Sequence, residues 1–164
     1  MRILHLIRHA KSSWQQPQLS DHQRPLNNRG LRSCVTMGTT LSHLNIHVSV
    51  CFVSSAKRAQ QTYQGLKHGF AHDSVMVTDE LYTFSVNKLE QFIKQISDQH
   101  QAVIIIGHNP AFCDLINYSD SHANTHFPTC GLASLQLPIQ SWQNYQHTTS
   151  QLIRLITPKS GQII

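Results

Sequence analysis

Residues 102–106 are Ala102, Val103, Ile104, Ile105 and Ile106, the longest purely aliphatic run in the chain. A run this short falls far below the roughly 20 residues a membrane-spanning helix needs. Its aliphatic continuity reads instead as a strand buried on both faces, which demands parallel neighbours and helices above and below the sheet. The rest of the chain supplies both. Apolar runs of β character over 3–7, 48–53 and 75–77 alternate with helical patterns. The first places Leu31, Val35, Gly38, Leu41 and Leu44 on one face; the second carries Ala59, Thr62, Tyr63, Leu66 and Phe70, and the third Val86, Leu89, Phe92, Ile93 and Ile96. After the aliphatic strand, Asn109 is placed as an N-cap and Pro110 as the first residue of a helix with Phe112, Leu115 and Ile116. Residues 118–128 have loop composition, and 132–137 and 152–156 read as strands. The expected architecture is an α/β three-layer sandwich whose mostly parallel central sheet is flanked by helices. With no internal repeat or linker, residues 1–164 are read as one domain.

Composition narrows the function classes. Charged residues make up only 13% of the chain, yet the formal net charge is +5. The basic residues are scattered and form no block, so an anionic ligand or an acidic protein surface accounts for the balance without nucleic acid. Cys34, Cys51, Cys113 and Cys130 never fall in a C-x-x-C pair, and Arg8 interrupts the N-terminal apolar run before it resembles a signal peptide. The expectation is a reduced, cytoplasmic protein with free thiols and no membrane segment. Three of the histidine pairs, His43 with His47, His68 with His72 and His122 with His126, have the i,i+4 spacing of helical metal ligands. No Cys or carboxylate completes a recognised pattern around them, so no metal and no cofactor is expected.

The chemistry gathers where strands end. Arg8 and His9 follow the first strand, residues 54–58 with Arg58 follow the second, and Gly107, His108 and Asn109 follow the aliphatic one. If these strands are parallel and adjacent, the signatures converge at the carboxyl edge of the sheet, where open α/β folds bind ligands. A transferring phosphoryl group needs donors around its equatorial oxygens and a nucleophile in line with the leaving group. Arginine supplies donors in a fixed fork. Arg8, Arg58 and His108 can be those donors and His9 the nucleophile. Helix N-termini after Arg58 and His108 add backbone N–H groups.

The ordered set of these motifs resembles the histidine phosphatase, or phosphoglycerate mutase-like, superfamily, and most of all its small SixA-type phosphohistidine phosphatases. The resemblance rests on Arg8, His9, Ala10, Lys11 and Ser12 with Trp14, then Asp21, Arg24, Pro25 and Leu26, and Arg29 with Gly30. It continues through Ser54 to Arg58 and Ala59 with Thr62, Glu80 with Leu81 and Tyr82, Gly107 to Pro110, and Pro128 with Thr129. It implies a phosphoglycerate mutase-like fold, a covalent phosphoryl group on His9, and phosphate binding by Arg8, Arg24, Arg58 and His108. The chain departs at Ser55, where the family usually has proline. A second departure concerns the general acid: no carboxylate follows His108, and Glu80 is the candidate left.

That gap bears on substrate. An alkoxide leaving a phosphate ester needs a proton from a placed acid, whereas the imidazole of phosphohistidine departs neutral once its ring is protonated. The length of the chain also leaves little for a lid. Together these favour a metal-independent protein histidine phosphatase acting on a phosphorelay or phosphotransferase protein, with phosphate or sulfate fitting the pocket. The alternative is a small-molecule phosphomonoesterase, and a binding module without turnover is the third reading. Local readings compete residue by residue: Glu80 can cap its turn, Arg24 can pair with Asp21 on the surface, Ser54 and Ser55 can cap the following helix, and Lys11 and Lys57 can be solvated charges. Oligomeric state is not legible in the sequence.

Overall fold

A computed structural model describes residues 1–119, 126–147 and 150–159. Its six strands are β1 (Arg2–Arg8), β2 (His47–Ser54), β3 (Ala71–Thr78), β4 (Ala102–Gly107), β5 (Leu132–Leu137) and β6 (Gln151–Ile156). The helices are α1 (Asn28–Ser42), α2 (Lys57–Leu66), α3 (Val86–Lys94) and α4 (Ala111–Ser119). The sheet order is β3-β2-β4-β1-β5-β6, with β1 to β4 mutually parallel where they pair, β5 antiparallel to β1, and β6 antiparallel to β5. This is the expected α/β sandwich, with the aliphatic strand inside the sheet between β2 and β1.

Strand β4 shows why both faces are covered. Val103 and Ile105 pack with Leu4, Leu6, Leu89, Ile93, Phe112 and Leu115 under α3 and α4, while Ile104 and Ile106 pack with Ile7, Met37, Leu41, Tyr63 and Leu66 under α1 and α2. Alternate side chains of a strand point to opposite faces, so one aliphatic run feeds two cores. Each fully buried branched side chain contributes roughly 1.5–3 kcal/mol by leaving water.

Several local expectations need correction. In α1, Leu31 and Val35 are exposed, and the buried stripe is Gly30, Cys34, Met37, Gly38 and Leu41. The helix lies so close to the segment after β1 that a Cβ at Gly30 would overlap the Lys11 carbonyl oxygen. Close approach selects small residues, which a count of large apolar side chains overlooks. The third strand is longer than residues 75–77, because pairing with β2 carries it from His47↔Ala71 to Ser54↔Thr78. As an edge strand it leaves Val75, Met76 and Val77 exposed. Helix α4 begins at Ala111, with Pro110 O accepting the Asp114 N–H, and the Asn109–Pro110 bond is cis. Asn109 is not the N-cap, since its amide donates to Phe127 O instead. The helix also takes Tyr118 and Ser119 out of the expected loop. Trp142 and Tyr145 are core aromatics, both fully buried. No helix among the described residues is long and apolar enough to cross a membrane.

Candidate active site

Because β2, β4 and β1 are adjacent and parallel, their carboxyl ends bring Ser54, Gly107 and Arg8 to one edge. His9 follows β1, and its N–H donates to the Gly107 carbonyl, so the backbone itself joins two of the three signatures. Ala10 is tied down by Thr62 of α2, whose Oγ1 accepts the Ala10 N–H at 2.9 Å and donates to Arg58 O. This holds the segment carrying His9 against the helix carrying Arg58.

The ring of His9 is fixed at both nitrogens. Its Nδ1 donates to Ala10 O at 2.7 Å, and its Nε2 accepts from Arg58 Nε at 3.2 Å. The carbonyl can only accept, so the proton sits on Nδ1 and the Nε2 lone pair faces the guanidinium. Burial, above all, holds the His9 pKa down to about 4; the bond to Ala10 opposes this, and the Arg58, Arg8 and Arg24 charges reinforce it. His108 lies beside it, ring centroid to ring centroid 5.0 Å. Its Nδ1 accepts from Arg58 Nη2 at 3.3 Å, and its Nε2 meets Ser54 Oγ at 2.8 Å. Burial first, then the neighbouring His9 and Arg58, push it down to about 3. Both rings are neutral near pH 7.

Asp21 organises the arginines. Its Oδ1 accepts from Arg24 Nη1 at 2.7 Å, and its Oδ2 from Arg58 Nη2 at 2.9 Å and Tyr82 Oη at 2.7 Å, while its carbonyl takes Arg58 Nη1. Partial burial raises its pKa, but the hydrogen bonds from Tyr82, Arg58 and Arg24 and the Arg58 charge prevail and hold it at about 2. Arg24 is buried beneath Trp14, with its guanidinium carbon 3.2 Å from the ring centroid, and also donates to Ser12 Oγ and Ser13 O. Arg24 does pair with Asp21, as the surface reading has it, but inside the site. Arg8 donates through Nη1 to Phe127 O, and its buried Nε has no partner among the described residues.

Sequence reasoning underrated two residues here. In the sequence Asp21 reads only as a surface partner of Arg24, whereas Arg24, Arg58 and Tyr82 from three segments meet on it. Ser54, read as a helix cap, does bond the Ala56 N–H but also fixes His108. A buried serine closing an apolar strand is the signal that points to such a role. Ser55 donates its N–H to Thr78 O, a bond that a proline there could not make. Glu80 is exposed on the turn Asp79–Leu81, and its N–H is capped by Thr78 Oγ1. Among the described residues no hydrogen bond or ion pair joins its carboxylate to His9, Arg58 or His108. His43, His47, His68 and His72 gather no metal set: among the described residues no three His, Cys, Asp or Glu side chains cluster as ligands, and His122 lies outside those residues.

The family model for the histidine phosphatase superfamily (branch 1) matches residues 4–104. The chain belongs to the histidine phosphatase superfamily. An uncharacterized protein of Mycobacterium leprae is 28% identical to this histidine phosphatase superfamily chain over 165 residues, 93% of this chain and 100% of that one. A protein named SixA from Agrobacterium tumefaciens superposes with a TM-score of 0.79 at 24% identity, covering 96% of this chain and 98% of that one. The protein histidine phosphatase SixA, solved with tungstate, superposes at 0.77 with 20% identity, covering 95% and 97%. The shared fold is phosphoglycerate mutase-like, as expected.

Proposed function

We infer that this superfamily member is a phosphohistidine phosphatase that removes phosphoryl groups from a partner protein through a covalent phosphoryl group on His9. The observation that carries the reading is the tautomer of His9, with Nδ1–H spent on Ala10 O and the Nε2 lone pair turned to the Arg58 guanidinium. A neutral imidazole so oriented is a nucleophile without further deprotonation.

In the first step His9 Nε2 forms a bond to phosphorus as the P–N bond to the partner's histidine breaks. The electron pair of that bond leaves with the partner imidazole, which is already protonated on its other ring nitrogen and so departs neutral. In the second step water attacks phosphorus, the P–Nε2 bond breaks, and inorganic phosphate departs. Arg8, Arg24 and Arg58 bind the phosphoryl oxygens and stabilise charge in both transition states, with His108 completing the pocket. No step calls for a metal.

The choice of phosphohistidine rests on proton supply. Asp21 is the carboxylate bonded into the site, and its arginine partners keep it ionised, so it has no proton to donate. An ester would need one; a protonated imidazole leaving group does not. Exposed aromatics at the rim favour a macromolecular substrate: Phe84 lies 5.4 Å from His108, centroid to centroid, and Trp14 covers Arg24. The unbridged cysteines suit a reducing cytoplasm, where a phosphorelay or phosphotransferase protein would be met.

The test is rapid quenching of the protein with phosphoramidate or a phosphohistidine peptide, followed by mass spectrometry. An acid-labile phosphoryl group on His9, lost in His9→Ala, is expected. Phosphate release without that label overturns the nucleophile, and faster turnover of sugar phosphates than of phosphohistidine makes the enzyme a small-molecule phosphomonoesterase.

A further inference from the structure

Basic residues dispersed through the sequence meet in one cleft beside the site. Lys11 follows β1, Arg29 and Arg32 lie in the first half of α1, His126 precedes β5, and Lys159 follows β6. Strand β6 pairs antiparallel with β5, which pairs antiparallel with β1, so β6 runs with β1 and delivers Lys159 to the same edge of the sheet. Together with Arg8 these side chains line a cleft of about 600 Å³. Five of the 13 Lys and Arg residues of the chain line it, and among the described residues no Asp or Glu does. Among the described residues no ion pair neutralises any of the five.

Arg8 makes this cleft continuous with the phosphoryl site. Arg8 lines the cleft and is followed directly by His9, the nucleophile proposed above, and its buried Nε has no hydrogen-bond partner among the described residues. Arg24 and Arg58 are both paired with the Asp21 carboxylate, whereas among the described residues no carboxylate lines the cleft. A cavity of this size takes several side chains rather than one small anion.

We propose that this cleft binds an acidic segment of the phosphorylated protein, seating carboxylates next to the histidine whose phosphoryl group enters at His9. The proposal rests on the reading of the substrate as a protein. Complementary charge of this kind raises the encounter rate and sets register more than it adds final affinity, and salt screens it.

The test reads binding, not turnover. A fluorescein-labelled peptide with one histidine flanked by six glutamates is titrated against the full chain by anisotropy, beside its glutamine counterpart. The acidic peptide is expected to bind about tenfold more tightly at low salt, with the preference lost at high salt. Arg29→Glu with Arg32→Glu should abolish the preference, and because glutamate in the first turns of α1 suits the helix dipole, the fold should survive. Phosphoramidate hydrolysis by that variant should stay unchanged. His9→Ala should lose turnover and keep the peptide, so failure of the catalytic reading and failure of the docking reading are separate results. Equal binding of the two peptides, or no effect of the double reversal, overturns the proposal. So does inorganic triphosphate occupying the cleft where the acidic peptide does not, which would make the ligand a small polyanion.

Discussion

The Nε–H of Arg58 meets the Nε2 of His9 at 3.2 Å, and the far side of the same guanidinium is clamped by Asp21 at 2.9 Å. The nucleophilic nitrogen is therefore positioned against a charge that is itself held by a carboxylate on another segment. Asp21→Asn keeps the shape of that clamp and removes its charge. Roughly tenfold lower kcat for phosphoramidate is expected, since a misaligned donor set costs transition-state stabilisation. Inhibition by inorganic phosphate should not weaken, because one negative charge has left the site. Loss of phosphate binding in step with kcat would make Asp21 a purely structural residue.

The acid limb of activity follows from His9. Protonation removes its lone pair, and its pKa of about 4 lies well below the ordinary 6.5. The rate constant kcat/KM for phosphoramidate should thus stay level from pH 7 down through 6.5 and fall with a midpoint near 4. A midpoint at 6 or above would show that His9 is protonated as easily as a free imidazole.

Stability should follow the same groups with a definite sign. His5, His9 and His108 have folded pKa values of about 4, 4 and 3 against 6.5 for a free side chain. The unfolded chain binds protons first as pH falls, so stability is complete above about 6.5 and declines between 6.5 and 3. Urea midpoints measured at pH 7.5 and 4.5 should drop at the lower value, and equal midpoints would contradict the burial of these rings.

Ser54→Ala removes the acceptor of the His108 Nε2 proton in a fully buried place. Leaving that group unpaired costs about 1–3 kcal/mol. Chemical denaturation reads the loss directly, and kcat should fall several-fold as His108 becomes free to turn. Unaltered stability would mean that water replaces the serine.

Glu80 offers the sharpest division between substrates. Its exposed place leads us to expect phosphoramidate hydrolysis within about twofold of wild type in Glu80→Gln, since an imidazole or ammonia leaving group needs no placed acid. Any ester hydrolysis should fall further if Glu80 is the acid for that reaction. Both activities should persist in chelator; restoration by an added divalent ion would refute the metal-free mechanism.

Much of the fold was legible because its signals are local. The aliphatic run at residues 102–106, the alternating helical stripes, and the polar residues closing each strand are properties of neighbours in sequence, and β1, β2 and β4 do end side by side. The errors arose where close packing replaced hydrophobicity as the selecting force. Gly30, Cys34 and Met37 face the core of α1 instead of Leu31 and Val35, and Asn109 turns to Phe127 instead of capping α4. Neither preference can be read without the opposing surface.

Sequence alone thus determined the layered α/β architecture and the residue types at each strand end, because strand period, helix period and chain punctuation are written within a few residues of one another. Tertiary structure alone decided which partner each of those residues would find. Asp21 is an unremarkable acid in a polar loop until the parallel sheet brings Arg24, Arg58 and Tyr82 around it. Lys11, Arg29, Arg32 and Lys159 are scattered charges until α1 and the end of β6 close on the same edge. Charge acts through space over several ångströms, and only the fold sets those distances.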